Sequence, residues 1–186
     1  MNSRKVILLV STIILVFTTV YAVVNFRPSS APISSITLGG EGPQIGKSAP
    51  NFELPLLESS KLGKNISLSS FKGTPLILNF FASWCSECAQ ELPLLSSFAK
   101  SNSSTIKVIG IDSGDSPTNA SRLLAKDGAH FTVLSDEDES LISSSYSSRG
   151  LPYSVLISKN GTVLSTNLGS LNQNVLAQWK KEASVN

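Results

Sequence analysis

Phe80-Phe81-Ala82-Ser83-Trp84-Cys85-Ser86-Glu87-Cys88 is the stretch that decides how this chain is read. It holds the only two cysteines of the 186 residues, three positions apart. The run Leu76-Ile77-Leu78 leads into it as a buried strand, and Leu92, Leu95, Phe98 and Ala99 follow at helical spacing. Cys85 therefore falls where a strand ends and a helix begins. The first turn of a helix carries free N–H groups and partial positive charge, which stabilise an anion. A thiol placed there ionises more readily, and the thiolate is the nucleophile. Cys88 lies one turn further along the same helix, close enough to close a disulfide with Cys85 and turned more toward the interior.

Other uses of such a pair fit poorly. A zinc site needs about four ligands, and the chain offers two cysteines and the single histidine His130. No metal is expected. Covalent haem attachment requires histidine directly after the second cysteine, where this chain has Ala89. A purely structural disulfide would close a very short loop and restrain the unfolded chain little. The spacing, beside a βαβ pattern, reads as a redox pair, one that needs no further cofactor.

Outside this stretch, length leaves room for one domain and an appendage. Fifteen Lys and Arg against 13 Asp and Glu give a net charge of +2, which supplies no argument for nucleic acid, and none is expected as a partner. Arg4 and Lys5 precede Val6 to Val24, nineteen residues without a charge. As a helix they would span about 28 Å, the thickness of a bilayer core. Positive charge at this end favours keeping it in the cytoplasm, although Arg27 on the far side weakens the bias. A cleaved signal peptide competes, with Val20-Tyr21-Ala22 suited to cleavage, but its apolar region would be shorter. The retained anchor is the preferred reading, and both readings carry the remainder across the membrane. Residues 1–27 are thus read as an uncleaved membrane anchor, 28–44 as a flexible linker rich in proline, serine and glycine, and 45–186 as the folded domain.

Within that domain, Ala49 to Leu54 reads as an edge strand and Ile66-Ser67-Leu68 as a short extended piece. Pro75 to Phe81 is a strand, Cys85 to Lys100 a helix kinked at Pro93, and Ile106 to Ile111 a strand apolar on both faces. Pro117 to Gly128 reads as a helix begun by its proline and stopped by its glycine. An extended piece at Thr132-Val133-Leu134 and a short helix from Asp138 to Tyr146 follow. Tyr153 to Ile157 and Thr162 to Ser165 flank Lys159-Asn160-Gly161, a hairpin signal, and Gln173 to Ala183 closes the chain as a helix. Alternating strands and helices that end in a hairpin imply an α/β sandwich with a mixed central sheet flanked by helices.

On four stretches the chain resembles the thioredoxin-like superfamily, in its membrane-tethered TlpA/ResA branch of thiol–disulfide oxidoreductases. They are Gly46 to Leu54, Leu78 to Cys88 with Glu91 and Pro93, His130 to Asp136, and Gly150 to Ile157. The resemblance implies a thioredoxin-like fold over about Ile45 to Ala183 and a cis peptide bond before Pro152. It implies Cys85 and Cys88 as catalytic residues, with Trp84, Leu151 and Pro152 contacting substrate. Asn79, where thioredoxin itself has aspartate, is common in the tethered branch. Many relatives have proline where this chain has Glu87. A carboxylate there disfavours a thiolate while the helix terminus favours it, so Glu87 is read either as an electrostatic modulator or as a solvated residue. Glu91 is a candidate acid–base group, with helix solubility as its alternative. His130 is read as structural or exposed, and the run Asp136 to Glu139 as acids suited to a helix N-terminus.

The implied function is a membrane-anchored, extracytoplasmic protein-disulfide reductant. Its partners would be a disulfide-containing protein such as apocytochrome c and a membrane thiol reductant. Three alternatives stand beside it: an oxidant or isomerase of secreted proteins, a peroxiredoxin-like peroxidase, and a non-enzymatic interaction module. The peroxidase reading expects threonine where the chain has Ala82.

Overall fold

The computed structural model describes residues 42–58 and 61–185. Val6 to Val24 and the linker as far as residue 41 lie outside the described residues. Among the described residues no helix is long and apolar enough to cross a membrane.

Seven strands form one sheet: β1 (Glu53–Glu58), β2 (Lys61–Ser67), β3 (Leu76–Phe81), β4 (Lys107–Ser113), β5 (Thr132–Asp136), β6 (Tyr153–Ile157) and β7 (Val163–Leu168). Their spatial order is β2-β1-β5-β4-β3-β6-β7. Four helices accompany it: α1 (Ser86–Asn102), α2 (Pro117–Asp127), α3 (Ser140–Ser144) and α4 (Gln173–Val185). Strands β3, β4 and β5 are parallel, joined by crossovers through α1 and α2. Strands β6 and β7 add an antiparallel hairpin beside β3. The expected mixed sheet is therefore present, with β3 near its centre.

Strand β3 is buried at every position, and its alternation sorts the core. Leu76, Leu78 and Phe80 face one layer, with Phe52, Ile109, Ile111, Tyr146 and Val155. Ile77 faces the other, among Leu95, Ala99, Leu176 and Trp179 of α1 and α4. Phe81 faces that same side, packed with Cys85, Cys88, Leu92 and Leu123. Asn79 stands between Ile77 and Phe81 and so is a fully buried amide aimed at α1.

Local signals decide the element ends. Ser116 caps α2 by accepting from Asn119 N–H, Pro117 opens it, and Gly128 ends it at φ 65°. Gly161, at φ 85°, turns the β6–β7 hairpin. Helix α1 runs on through Pro93, which withholds only the N–H that would have met Ala89 O.

Two elements differ from the sequence reading. The first strand is Glu53–Glu58 rather than Ala49–Leu54, and it is not the edge, because β2 folds back on it as a hairpin. Pro55 sits where that pairing is irregular, between Pro55 and Leu57, so a proline is tolerated inside the strand. Helix α3 is shorter than expected because Asp136 to Glu139 form its capping turn. Asp136 accepts from Leu141 N–H at 3.0 Å and Ile142 N–H at 3.1 Å.

Gly110 of β4 shows how tightly the sheet backs the cysteines. A Cβ there would lie 2.9 Å from Phe131 Cε2, 3.0 Å from Phe81 Cε1 and 3.1 Å from Val133 Cγ2. Gly110→Ala is expected to cost about 1–3 kcal/mol in urea unfolding, the usual cost of overpacking. A variant as stable as the parent would mean that both rings move aside freely.

Candidate active site

Cys85 and Cys88 are joined as a disulfide, with Cα atoms 5.3 Å apart. Cys85 is the N-cap of α1, in extended conformation, and its Sγ accepts from Cys88 N–H at 3.1 Å. Its amide donates to Ala82 O at 3.1 Å, closing the turn that leaves β3. Cys85 retains 8% exposure while Cys88 has none. Of the two residues only Cys85 offers an incoming group any surface.

Two contacts hold the approach to Cys85. Ser83 N–H donates to Asp115 Oδ2 at 2.7 Å. Trp84 Nε1–H donates to Gly114 O at 3.1 Å, which fixes a ring that is 62% exposed. An indole so placed offers an apolar platform beside the disulfide. On the other side the Leu151–Pro152 peptide is cis. Pro152 O accepts from Gly169 N–H at 2.8 Å, and Leu151 packs against the cluster that contains both cysteines. The structure thus brings Trp84 and Leu151 to the pair, while Pro152 is buried beside Leu151 in the chain. Glu87 points to solvent in the first turn of α1.

Glu91 is not a solubility residue. It is 3% exposed, one turn beyond Cys88 on the inward face of α1. Asn79 Nδ2 donates to its Oε1 at 2.7 Å, and Leu171 N–H donates to its Oε2 at 2.7 Å. Asn79 also donates to Ser154 Oγ at 2.9 Å, so β3, β6 and α1 meet in one buried polar chain. Burial pushes the Glu91 carboxyl above its ordinary range, and the bonds from Leu171 and Asn79 pull it part of the way back.

Asp112 and Asp115 escaped the sequence reading. Asp115 accepts Ser83 N–H and, through Oδ1, Ser116 N–H at 2.7 Å, coupling the cysteine loop to the start of α2. Its signal was its place in Asp112-Ser113-Gly114-Asp115-Ser116, a polar run at the carboxyl end of a parallel strand, where sites of open α/β sheets gather. Asp112 is fully buried and pairs in register with Phe81 and Ser135. Neither of its carboxylate oxygens has a hydrogen-bond partner. Burial first, then the neighbouring charges of Asp115, Glu137 and Asp136, raise its pKa from 3.8 to about 8. His130 is exposed, as expected. Among the described residues no group of three or more His, Cys, Asp or Glu is placed to hold a metal.

Comparison with known proteins agrees with this geometry. A family model described as the AhpC/TSA family matches residues 45–166. The chain is similar to the thiol-disulfide oxidoreductase ResA of Bacillus thuringiensis (strain Al Hakam), at 32% identity over 140 residues, covering 75% of this chain and 78% of that one. It is also similar to the thiol:disulfide interchange protein DsbE of Xylella fastidiosa (strain 9a5c), at 33% identity over 132 residues, covering 71% and 65%. Among solved structures, a Chlorobium tepidum protein described as a thiol:disulfide interchange protein DsbE superposes with a TM-score of 0.64 at 27% identity, covering 77% of this chain and 98% of that one.

Asp112 generates a pH prediction. Below pH 3.8, its ordinary value, the carboxyl is protonated folded or unfolded. Between there and about 8 the native state holds one proton more than the unfolded chain, so stability falls as pH rises. Above about 8 that slope ends. Asp112→Asn removes the slope. It should therefore stabilise the protein progressively from acid to neutral pH, by on the order of a few kcal/mol at pH 7. Denaturant midpoints of variant and parent across that range measure it. A constant difference would mean that Asp112 is not held neutral.

Proposed function

From membership in the AhpC/TSA family, to which the chain belongs as a thiol–disulfide oxidoreductase of the ResA and DsbE type, we propose a membrane-tethered reductant of protein disulfides that works outside the cytoplasm. The observation that carries the chemistry is the Cys85–Cys88 disulfide at the helix N-terminus, 8% exposed at Cys85 and fully buried at Cys88. The tether rests on the uncharged run Val6 to Val24 behind Arg4 and Lys5.

In the reduced protein, Cys85 thiolate attacks one sulfur of a substrate disulfide. A mixed disulfide forms, and the other substrate sulfur leaves as a thiolate that takes up a proton. Cys88, deprotonated, then attacks Cys85 Sγ. The substrate's second sulfur leaves, two electrons have passed to the substrate, and the Cys85–Cys88 disulfide is closed. A dithiol reductant in the membrane restores the pair by the same two exchanges. Glu91, buried one turn from Cys88 with a raised pKa, is the group suited to take the Cys88 proton. Trp84, Leu151 and Pro152 form the surface on which an extended substrate segment rests. An apocytochrome c, whose haem-attachment cysteines must be reduced, is the substrate that the ResA resemblance favours.

The oxidised state of the pair is also the state from which an oxidant would act, so direction rests on the potential. A reductant is expected nearer the roughly −270 mV of thioredoxin than the roughly −120 mV of a strong periplasmic oxidant. Peroxidase chemistry lacks the hydroxyl expected at position 82, where Ala82 is buried. The roles of the two thiols are tested by trapping. Cys88→Ser should accumulate mixed disulfides through Cys85, and Cys85→Ser should not. Trapping through Cys88 alone would reverse the assignment. Glu91→Gln should slow resolution of the mixed disulfide by about 10²-fold, within the usual range for general base catalysis, while alkylation of Cys85 stays within a few-fold of the parent. Equal loss in both reactions would make Glu91 a structural group only.

A further inference from the structure

A cavity of about 340 Å³ opens at the end of the sheet opposite the disulfide. Its apolar floor includes Leu76 and Ile157, which pair across β3 and β6. That is one strand length, roughly 15–20 Å, from Phe81 and the cysteine turn. Two loops form its walls, the turn that ends at Lys72 and the hairpin Ser158 to Gly161. They are tied to each other by Gly73 N–H donating to Lys159 O at 3.0 Å, and the hairpin is tied to the arm before β1 by Ala49 N–H donating to Gly161 O at 2.9 Å. The walls are therefore held in place without an occupant.

The lining combines two lysines with the neutral polar side chains of Ser48, Asn51, Ser69, Ser158 and Asn160. Lys72 and Lys159 both border the opening and are exposed, and no carboxylate lines it. Ser158 is only 4% exposed. Its Oγ accepts from Asn160 N–H at 3.3 Å and from Thr162 N–H at 3.1 Å. Both lone pairs are engaged, so its own O–H remains a donor without an acceptor among the described residues. Two ammonium groups, a buried hydroxyl donor and the Asn160 amide at the rim call for a ligand rich in acceptors and negative charge. A tetrahedral oxyanion meets both requirements, and the two lysine charges disfavour an amine or a metal ion.

We propose that this cavity binds a phosphate group, carried either by a small solute or by the headgroup of an anionic phospholipid. The site is independent of the thiol chemistry, since it touches neither cysteine.

The test uses the full chain, oxidised, in zwitterionic detergent, with backbone amide signals followed by NMR. One arm titrates inorganic phosphate against chloride at equal ionic strength. The second adds a short-chain phosphatidylglycerol to the micelles, with the matching phosphatidylcholine as its control. Saturable shifts are expected at Ser158 to Thr162 and Gly73. The double variant Lys72→Gln, Lys159→Gln should weaken them about tenfold or more, a loss of about 1.4 kcal/mol per tenfold, with the rest of the spectrum unchanged. Ser158→Ala should weaken them less. Response to inorganic phosphate would show that a free phosphate group suffices. Response to phosphatidylglycerol alone would assign the site to lipid. Absence of saturable shifts in both arms, or equal shifts in the double variant, would overturn the proposal.

Discussion

Everything at the cysteine end depends on the period-two alternation of β3 against helix α1. Because Ile77, Asn79 and Phe81 share one face, the helix that follows must lie along that face to cover them. Leu92 and Leu95 do so, and Phe81 packs directly with Cys85, Cys88 and Leu92. A slip of one residue would turn Leu78 and Phe80 toward α1 and move Asn79 to the opposite layer. Glu91 would then lose its Asn79 partner while remaining buried, at a cost well above that of an ordinary surface substitution. Hydrophobic register and polar pairing therefore specify the same arrangement, and the N-terminus of α1 is fixed beside the end of β3 as a result.

Much of this was legible in the residues. The cysteine spacing, the apolar run before it, the Pro117 and Gly128 punctuation of α2 and the Asn160-Gly161 hairpin each carry a local cause that tertiary structure has no reason to override. The cis peptide at Leu151–Pro152 was reached by resemblance, since nothing in a Leu-Pro dipeptide distinguishes cis from trans. What stayed hidden depends on contacts between residues distant in sequence. Glu91 is a candidate acid–base group in the sequence, but its burial shows only once Asn79, 12 residues away, and Leu171, 80 residues away, are brought to it. Asp112 reads as the polar end of a strand until β3 and β5 close around it. The β1–β2 hairpin was missed because Pro55 argues against a strand by local rules. Only the irregular pairing between Pro55 and Leu57 admits it.

Two acids are buried at this end, and they are treated oppositely. Glu91 spends both oxygens on N–H donors, so its charged form is partly supported. Asp112 has no such donors and sits near other carboxylates, so its neutral form is favoured. A buried carboxylate whose charged form is partly supported can both hold and release a proton, which is what a group serving a thiol requires. One held neutral without hydrogen bonds instead reduces stability as the medium becomes less acidic. The fold retains the second group at a cost that its own packing must offset.

The three helices that follow β3, β4 and β5 complete this picture through their N-termini. Asp136 takes the Leu141 and Ile142 N–H groups at α3. At α2, Ser116 Oγ takes Asn119 N–H, while Asp115 takes the amide of Ser116 itself. In both cases oxygen caps the helix permanently. Only α1 is capped by sulfur, with Cys88 N–H donating to Cys85 Sγ at 3.1 Å. Disulfide sulfur is a weak acceptor, so in the oxidised protein this bond contributes little. Once the pair is reduced, the same N–H faces a thiolate, and the helix dipole adds to the attraction. The cap is thus strongest in the state in which Cys85 must attack. A serine at position 85 would cap α1 well in every state and could carry no electrons, so the sulfur cap exchanges constant helix stability for a contact that strengthens on reduction.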